Sequence, residues 1–170
     1  MIFRISSSMQ IKSFLISAGL AAAMYRTIIN IDEIFFSSKM AFLPTPIPIV
    51  SYFIVVILVL IPITAVHEVI HGAFYKIYGG RPVYGFKVVY AYTMEVTGKP
   101  ILRNRFLLLL LAPVTIISVL CTLLPGIWGS AIMVLNLIGS SGDLYMAWSL
   151  RRLPCQCCII DRPYGYEAII

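Results

Sequence analysis

From Met40 to Val66 the chain carries no charged residue. At about 1.5 Å of rise per residue, such a run on a helix is longer than the roughly 30 Å hydrocarbon layer of a bilayer. Inside that layer only a helix or a closed barrel satisfies its own backbone groups, so the run predicts a membrane-crossing helix, bounded at about 47–78. It passes directly into His67-Glu68-Val69-Ile70-His71, an HExxH pattern that holds the only two histidines of the chain. On a helix the two imidazoles fall one turn apart on one face, the spacing that lets both bind one metal ion. Zinc suits this donor pair, with a third protein ligand and an open position for water, and Glu68 then stands where it can take a proton from that water.

The remainder of the chain is consistent with a core that lies in lipid. Hydrophobic residues make up 60% of the sequence, charged residues 12%, and the mean hydropathy is +0.94, far from the balance of a soluble domain. Residues 13–31 form a first apolar stretch, read as a membrane helix, although Ala21-Ala22-Ala23 also resembles a signal-peptide cleavage site. Pro44, Pro46 and Pro48 stiffen the entry to the second span, Pro62 predicts a kink just before the histidines, and Gly79-Gly80 a stop after them. Over 82–98 the period changes to two: Tyr84, Phe86, Val88, Tyr90, Tyr92, Met94 and Val96 alternate with more polar residues, which predicts a bent strand or hairpin. Runs at 105–124, with Pro113, and at 127–150 give a third and fourth span, and 151–170 is a tail. The fold class is therefore an all-α membrane protein, a single polytopic domain of about four transmembrane helices with a short strand or hairpin insertion after the HExxH helix.

The net charge of +6 does not point to nucleic acid, because the basic residues flank apolar runs instead of forming a patch with exposed aromatics. If all four spans cross, most of them, from Arg4 and Lys12 through Lys76–Arg105 to Arg151, Arg152 and Arg162, fall on one side, with Arg26 and Lys39 opposite. The positive-inside rule then makes this a multi-pass cell-membrane protein with both termini and the strand-like loop cytoplasmic. In that topology the second and fourth spans run parallel. His67 and His71 precede Lys76 by nine and five residues and Asp143 precedes Arg151 by eight, so all three lie at about the same depth, roughly 7–14 Å below the boundary. Asp143, the one charge inside the fourth span, is the expected third ligand beside His67 and His71. Asn136, two turns earlier, either donates a hydrogen bond to a substrate carbonyl or oxyanion or glues helices together.

HEVIHG at the end of a membrane helix, a strand-like loop, a proline-bearing span and then NLIGSSGDLYM resemble the membrane zincin peptidases, relatives of the site-2 protease superfamily. The resemblance covers about 45–170, including Asp161 and Gly165 in the tail. It implies zinc on His67, His71 and Asp143, Glu68 as general base, and a membrane-embedded or membrane-adjacent protein or peptide as substrate. Site-2 proteases carry an aspartate followed by glycine and preceded by asparagine-proline, whereas here Gly142 precedes Asp143 and Gly139 stands near the proline position. The strand-like loop offers an edge for an unwound substrate to pair as an added strand, around Tyr90 and Tyr92, or merely covers the bundle. The alternatives to a peptidase are a non-catalytic zinc-binding scaffold or adaptor and, less favoured for want of polar residues elsewhere in the spans, a metal transporter. Glu68 separates the first two, since hydrolysis needs it and an adaptor does not. Cys155, Cys157 and Cys158 read as reduced cytoplasmic thiols, with palmitoylation or a second metal site as the other options.

Overall fold

The computed structural model describes residues 2–4, 6–37, 48–87, 90–163 and 165–169. Lys39, Pro44, Pro46 and Val88, invoked above, lie outside them. The chain is mostly helical. Helix α1 (Ser7–Ala23) and helix α2 (Tyr25–Ser37) meet at a 65° bend at Met24, so the first apolar stretch is a bent pair, not one straight span. Helix α3 (Pro48–Ile77) is the long element, and it carries Pro62 and the HExxH residues. Its end is fixed by backbone geometry: Gly79 at φ 76° lets the Gly79 N–H reach Lys76 O and the Gly80 N–H reach Tyr75 O, a Schellman closure that needs a glycine.

Helices α4 (Arg103–Cys121), α5 (Gly126–Gly139) and α6 (Ser141–Leu150) follow. Gly129 permits the tight α4–α5 turn, since a Cβ there would stand 2.4 Å from the Cys121 carbonyl oxygen. The 127–150 run is therefore not one helix. It breaks at Ser140, whose N–H and hydroxyl both turn back onto Asn136 O, at 2.9 and 2.7 Å, between two glycines that give a helix little support. Tyr52–Ile77 and Arg103–Cys121 are long and apolar enough to cross a membrane, and the bent α1–α2 pair makes a third candidate; α5 is apolar but shorter. Phe53, Ile57, Leu58 and Ile61 on α3 are more than half exposed, an outer surface suited to lipid and not to water.

The all-α expectation needs correction. Strands β2 (Pro82–Lys87) and β3 (Tyr90–Glu95) form the hairpin that the alternation predicted, in strict antiparallel register from Pro82↔Glu95 to Lys87↔Tyr90. A second sheet, absent from the sequence reading, has four strands in the order β1-β6-β5-β4: β1 (Ile2–Arg4), β4 (Ile101–Leu102), β5 (Cys158–Arg162) and β6 (Gly165–Ile169). The tail is thus a hairpin, closed at Arg162↔Gly165 with Gly165 at φ 133°. Because β1 pairs with β6 and β4 with β5, the sheet gathers the start of α1, the loop after the hairpin and the tail at one end of the helices. The core lies there, where Tyr75, Phe106, Leu109 and Leu150 pack on Ile159 and Tyr166; Phe3 stacks on Tyr166 with ring centres 4.7 Å apart.

Candidate metal centre

Helix α3 delivers His67 and His71 on one face, and the first turn of α6 delivers Asp143. The two Nε2 atoms lie 3.2 Å apart, and Asp143 Oδ2 stands 3.0 Å from His67 Nε2 and 3.4 Å from His71 Nε2. Metal–ligand bonds of about 2.0–2.1 Å in a tetrahedron separate neighbouring ligand atoms by about 3.3 Å, so these three atoms already occupy one face of such a polyhedron.

The outer ring nitrogens indicate which atoms carry protons. His71 Nδ1 lies 3.0 Å from Leu109 O and His67 Nδ1 lies 3.3 Å from Asn136 Oδ1; both partners only accept, so each Nδ1 donates. That leaves the lone pairs of both Nε2 atoms and the Asp143 carboxylate aimed at one point. One added proton would serve one of those three contacts, whereas a cation at the centre serves all three. The donor set thus fits a divalent metal, and it is the only group of three or more such residues so placed among the described residues. His71 is 6% exposed and the side chains of His67 and Asp143 are 12% and 15% exposed, so the centre is shielded yet still accessible.

The Leu109 carbonyl is available for a reason that sequence reasoning passed over. In a regular helix it would accept from residue 113, but residue 113 is proline and has no N–H. Pro113, noted above only as an interruption of a span, frees the acceptor that orients His71. The sequence shows that Pro113 leaves the Leu109 carbonyl without its helical donor, but not that His71 is the group that takes it.

Asn136 is buried, and besides its contact with His67 it holds an Nδ2 with no hydrogen-bond partner among the described residues. Its two expected roles are therefore compatible: the oxygen braces a ligand while the nitrogen is spare. Glu68 turns toward the hairpin, where the Thr93 hydroxyl on β3 lies 2.7 Å from Glu68 Oε2 and 3.0 Å from the Glu68 carbonyl oxygen. Thr93 was not singled out in the sequence. Gly72, directly after the motif, leaves the space that the Tyr84 ring of β2 fills against α3.

Two carboxylates anchor the hairpin at its far end. Burial pushes Glu95 up, but the N–H of Arg81, the hydroxyl and N–H of Thr97 and the N–H of Lys99 outweigh it and hold the group at about 2. Asp161 of β5 accepts from the Tyr75 hydroxyl at 2.8 Å and the Glu95 N–H at 2.9 Å, tying α3 and β3 to the tail sheet. Burial dominates there and raises its pKa to about 6 in spite of those bonds. All four cysteines are free, and Cys157 is buried in the core while Cys155 is exposed.

A family model described as "Putative zincin peptidase" matches residues 57–158, more than half of the chain. The chain belongs to that family. No curated protein and no solved structure is similar enough to match. The segment shared with the zincin peptidase family contains the HExxH residues with the last two-thirds of α3, the β2–β3 hairpin and Asn136 through Asp143, so every residue of the candidate centre lies within it.

Proposed function

We propose that the protein is a zinc-dependent intramembrane peptidase of site-2-protease type, cutting peptide bonds of membrane-embedded or membrane-adjacent substrates. The observation that carries this reading is the convergence of His67 Nε2, His71 Nε2 and Asp143 Oδ2 at 3.0–3.4 Å beside Glu68. His67, His71 and Asp143 would hold the zinc, which would supply Lewis acidity toward a water and toward the peptide carbonyl. Glu68 is the base that accepts the proton of the attacking water and returns one to the leaving amine. Thr93 fixes the rotamer of Glu68 by hydrogen bonding to its carboxylate. The spare Asn136 Nδ2–H donates to the oxyanion as it forms.

Substrate presentation falls to β3. The Val96 N–H bonds back to Arg81 O and the Glu95 N–H points away to Asp161, so by alternation the outward donors of β3 are those of Ala91, Thr93 and Glu95. Asp161 caps the last, and β3 pairs with no strand but β2 among the described residues. An unwound substrate segment adds along Ala91 and Thr93, beside Glu68. Both termini and the sheet lie on the cytoplasmic side, which the basic residues near the sheet support.

The test is metal content by mass spectrometry with hydrolysis of a labelled membrane-peptide library, comparing wild type, Glu68→Gln and Asp143→Ala. About one zinc in wild type and Glu68→Gln, weakened in Asp143→Ala, with cleavage only by wild type, is expected. Glu68→Gln should lose about 10²–10⁴ in rate. Zinc binding without any loss of cleavage in Glu68→Gln would remove the peptidase mechanism, and zinc without cleavage by wild type would favour the adaptor.

A further inference from the structure

A second feature lies on the opposite side of α6 from the histidines. Helices α1 and α6 run side by side, joined by the Ser17 hydroxyl, 2.8 Å from Ser141 Oγ, and by Lys12 Nζ, 3.2 Å from the Tyr145 hydroxyl. Between them is an open groove of about 540 Å³ whose wall is almost wholly apolar and includes Leu15, Ile16, Leu144 and Trp148. Leu15 is 61% and Trp148 54% exposed. Two cations border it: Lys12, which lines it, has its Nζ 5.5 Å from the Tyr145 ring centre, and Arg151 stands beyond the lining with its guanidinium 3.8 Å from the ring centre of Trp148. No acidic residue lines the groove, and the nearest in sequence, Asp143, is engaged with the histidines.

Tyrosine, tryptophan, lysine and arginine together are the residues that settle at the level of lipid headgroups. Lys12 lies in the second turn of α1 and Arg151 follows α6, so the cations stand toward the sheet end, where basic residues concentrate, while Leu15, Ile16 and Leu144 lead away into the apolar part of the bundle. A ligand matching this shape has one anionic group at the mouth and a hydrocarbon chain along the wall. We propose that the α1–α6 groove is a binding site for one anionic phospholipid, with its phosphate on Lys12 and Arg151 and an acyl chain against Leu15, Ile16 and Leu144. Such a lipid braces α6, the helix that carries Asp143, on the face away from the metal ligands. The proposal stands apart from the peptidase reading, since it concerns lipid binding alone.

The test is native mass spectrometry of the full chain, delipidated in detergent and titrated with phosphatidylglycerol or phosphatidylcholine. Wild type should retain one phosphatidylglycerol in preference to phosphatidylcholine. Lys12→Ala/Arg151→Ala should lose roughly thirtyfold in affinity, at about one kilocalorie per cation. Arg81→Ala/Arg105→Ala, which removes equal charge from the same end outside the groove, should bind as wild type does. Equal loss in both double variants would mean diffuse charge attraction and overturn the site. Equal retention of the two lipids by wild type would overturn it without recourse to any variant, so the test holds even if the Lys12/Arg151 protein fails to fold.

Discussion

Replacing Pro113 by alanine should move stability and metal affinity in opposite directions. Proline inside a helix costs about 3 kcal/mol relative to alanine, and Pro113 is fully buried, so the substitution also removes about two methylenes of packing, roughly 1.6 kcal/mol. The apo protein should therefore gain about 1–2 kcal/mol. The new N–H at residue 113 competes for Leu109 O, which now accepts from His71 Nδ1 at 3.0 Å. Disturbing the partner that orients a metal-bound histidine typically weakens binding 10- to 100-fold, equivalent to about 1.4–2.7 kcal/mol. Thermal unfolding in detergent, with chelator and then over a zinc titration, reads both quantities. The expected record is a higher apo midpoint and a smaller zinc-induced rise than in wild type. An unchanged zinc affinity would refute the argument that the proline exists to free that carbonyl, and a lower apo midpoint with unchanged affinity would make Pro113 a packing residue only.

Proline placed at Ala91 removes one outward donor of β3 and none of its bonds to β2, a position where an edge strand tolerates it. Zinc content and midpoint should hold while cleavage of strand-presented peptides falls at least tenfold; undiminished cleavage would argue against strand addition. Stability should follow pH with a maximum near the ordinary carboxylate range. Glu95, held at about 2, contributes on the order of 3 kcal/mol that is present above pH 4.5 and lost as pH falls toward 2. Asp161, raised to about 6, acts in the opposite sense: the folded state keeps a proton that the unfolded chain releases, so stability declines as pH rises from 3.8 to 6. Urea titrations across pH 3–8 should show the acid limb flattened in Glu95→Gln and the upper limb in Asp161→Asn.

Much of the centre could be read before any coordinates, because its information is local or topological. HExxH fixes the histidines by helical period, and one acidic residue in an otherwise uncharged run singled out Asp143. The β2–β3 hairpin was visible because both strands alternate over their whole length. The four-stranded sheet was not, since β1 has three residues and β4 two, and neither carries a periodic signal; they become strands only by pairing with β5 and β6. The break at Ser140 was only half visible: Gly139 and Gly142 weaken a helix there, but hydropathy sees an unbroken apolar run, and the hydroxyl's bond to Asn136 O is a matter of side-chain geometry. Thr93, Pro113 and Asp161 act through partners on other elements, and a single sequence does not reveal which elements touch.

The pairing of Ile2 with Glu167 has a temporal consequence. A ribosome-bound chain can form α1, α3 and α4 one after another, but β1 must wait until the residues of β6 have emerged, and Asp161 cannot hold Tyr75 and the Glu95 N–H until β5 exists. The candidate metal ligands and the edge strand are thus brought under common restraint only after every helix is in place. A nascent or truncated chain lacking residues 158–169 would possess His67, Glu68, His71 and Asp143 and the contacts of Thr93 and Tyr84 with α3, yet lack the Asp161 tie at the far end of the hairpin, so assembly itself withholds the complete arrangement of the candidate centre until the tail is in place.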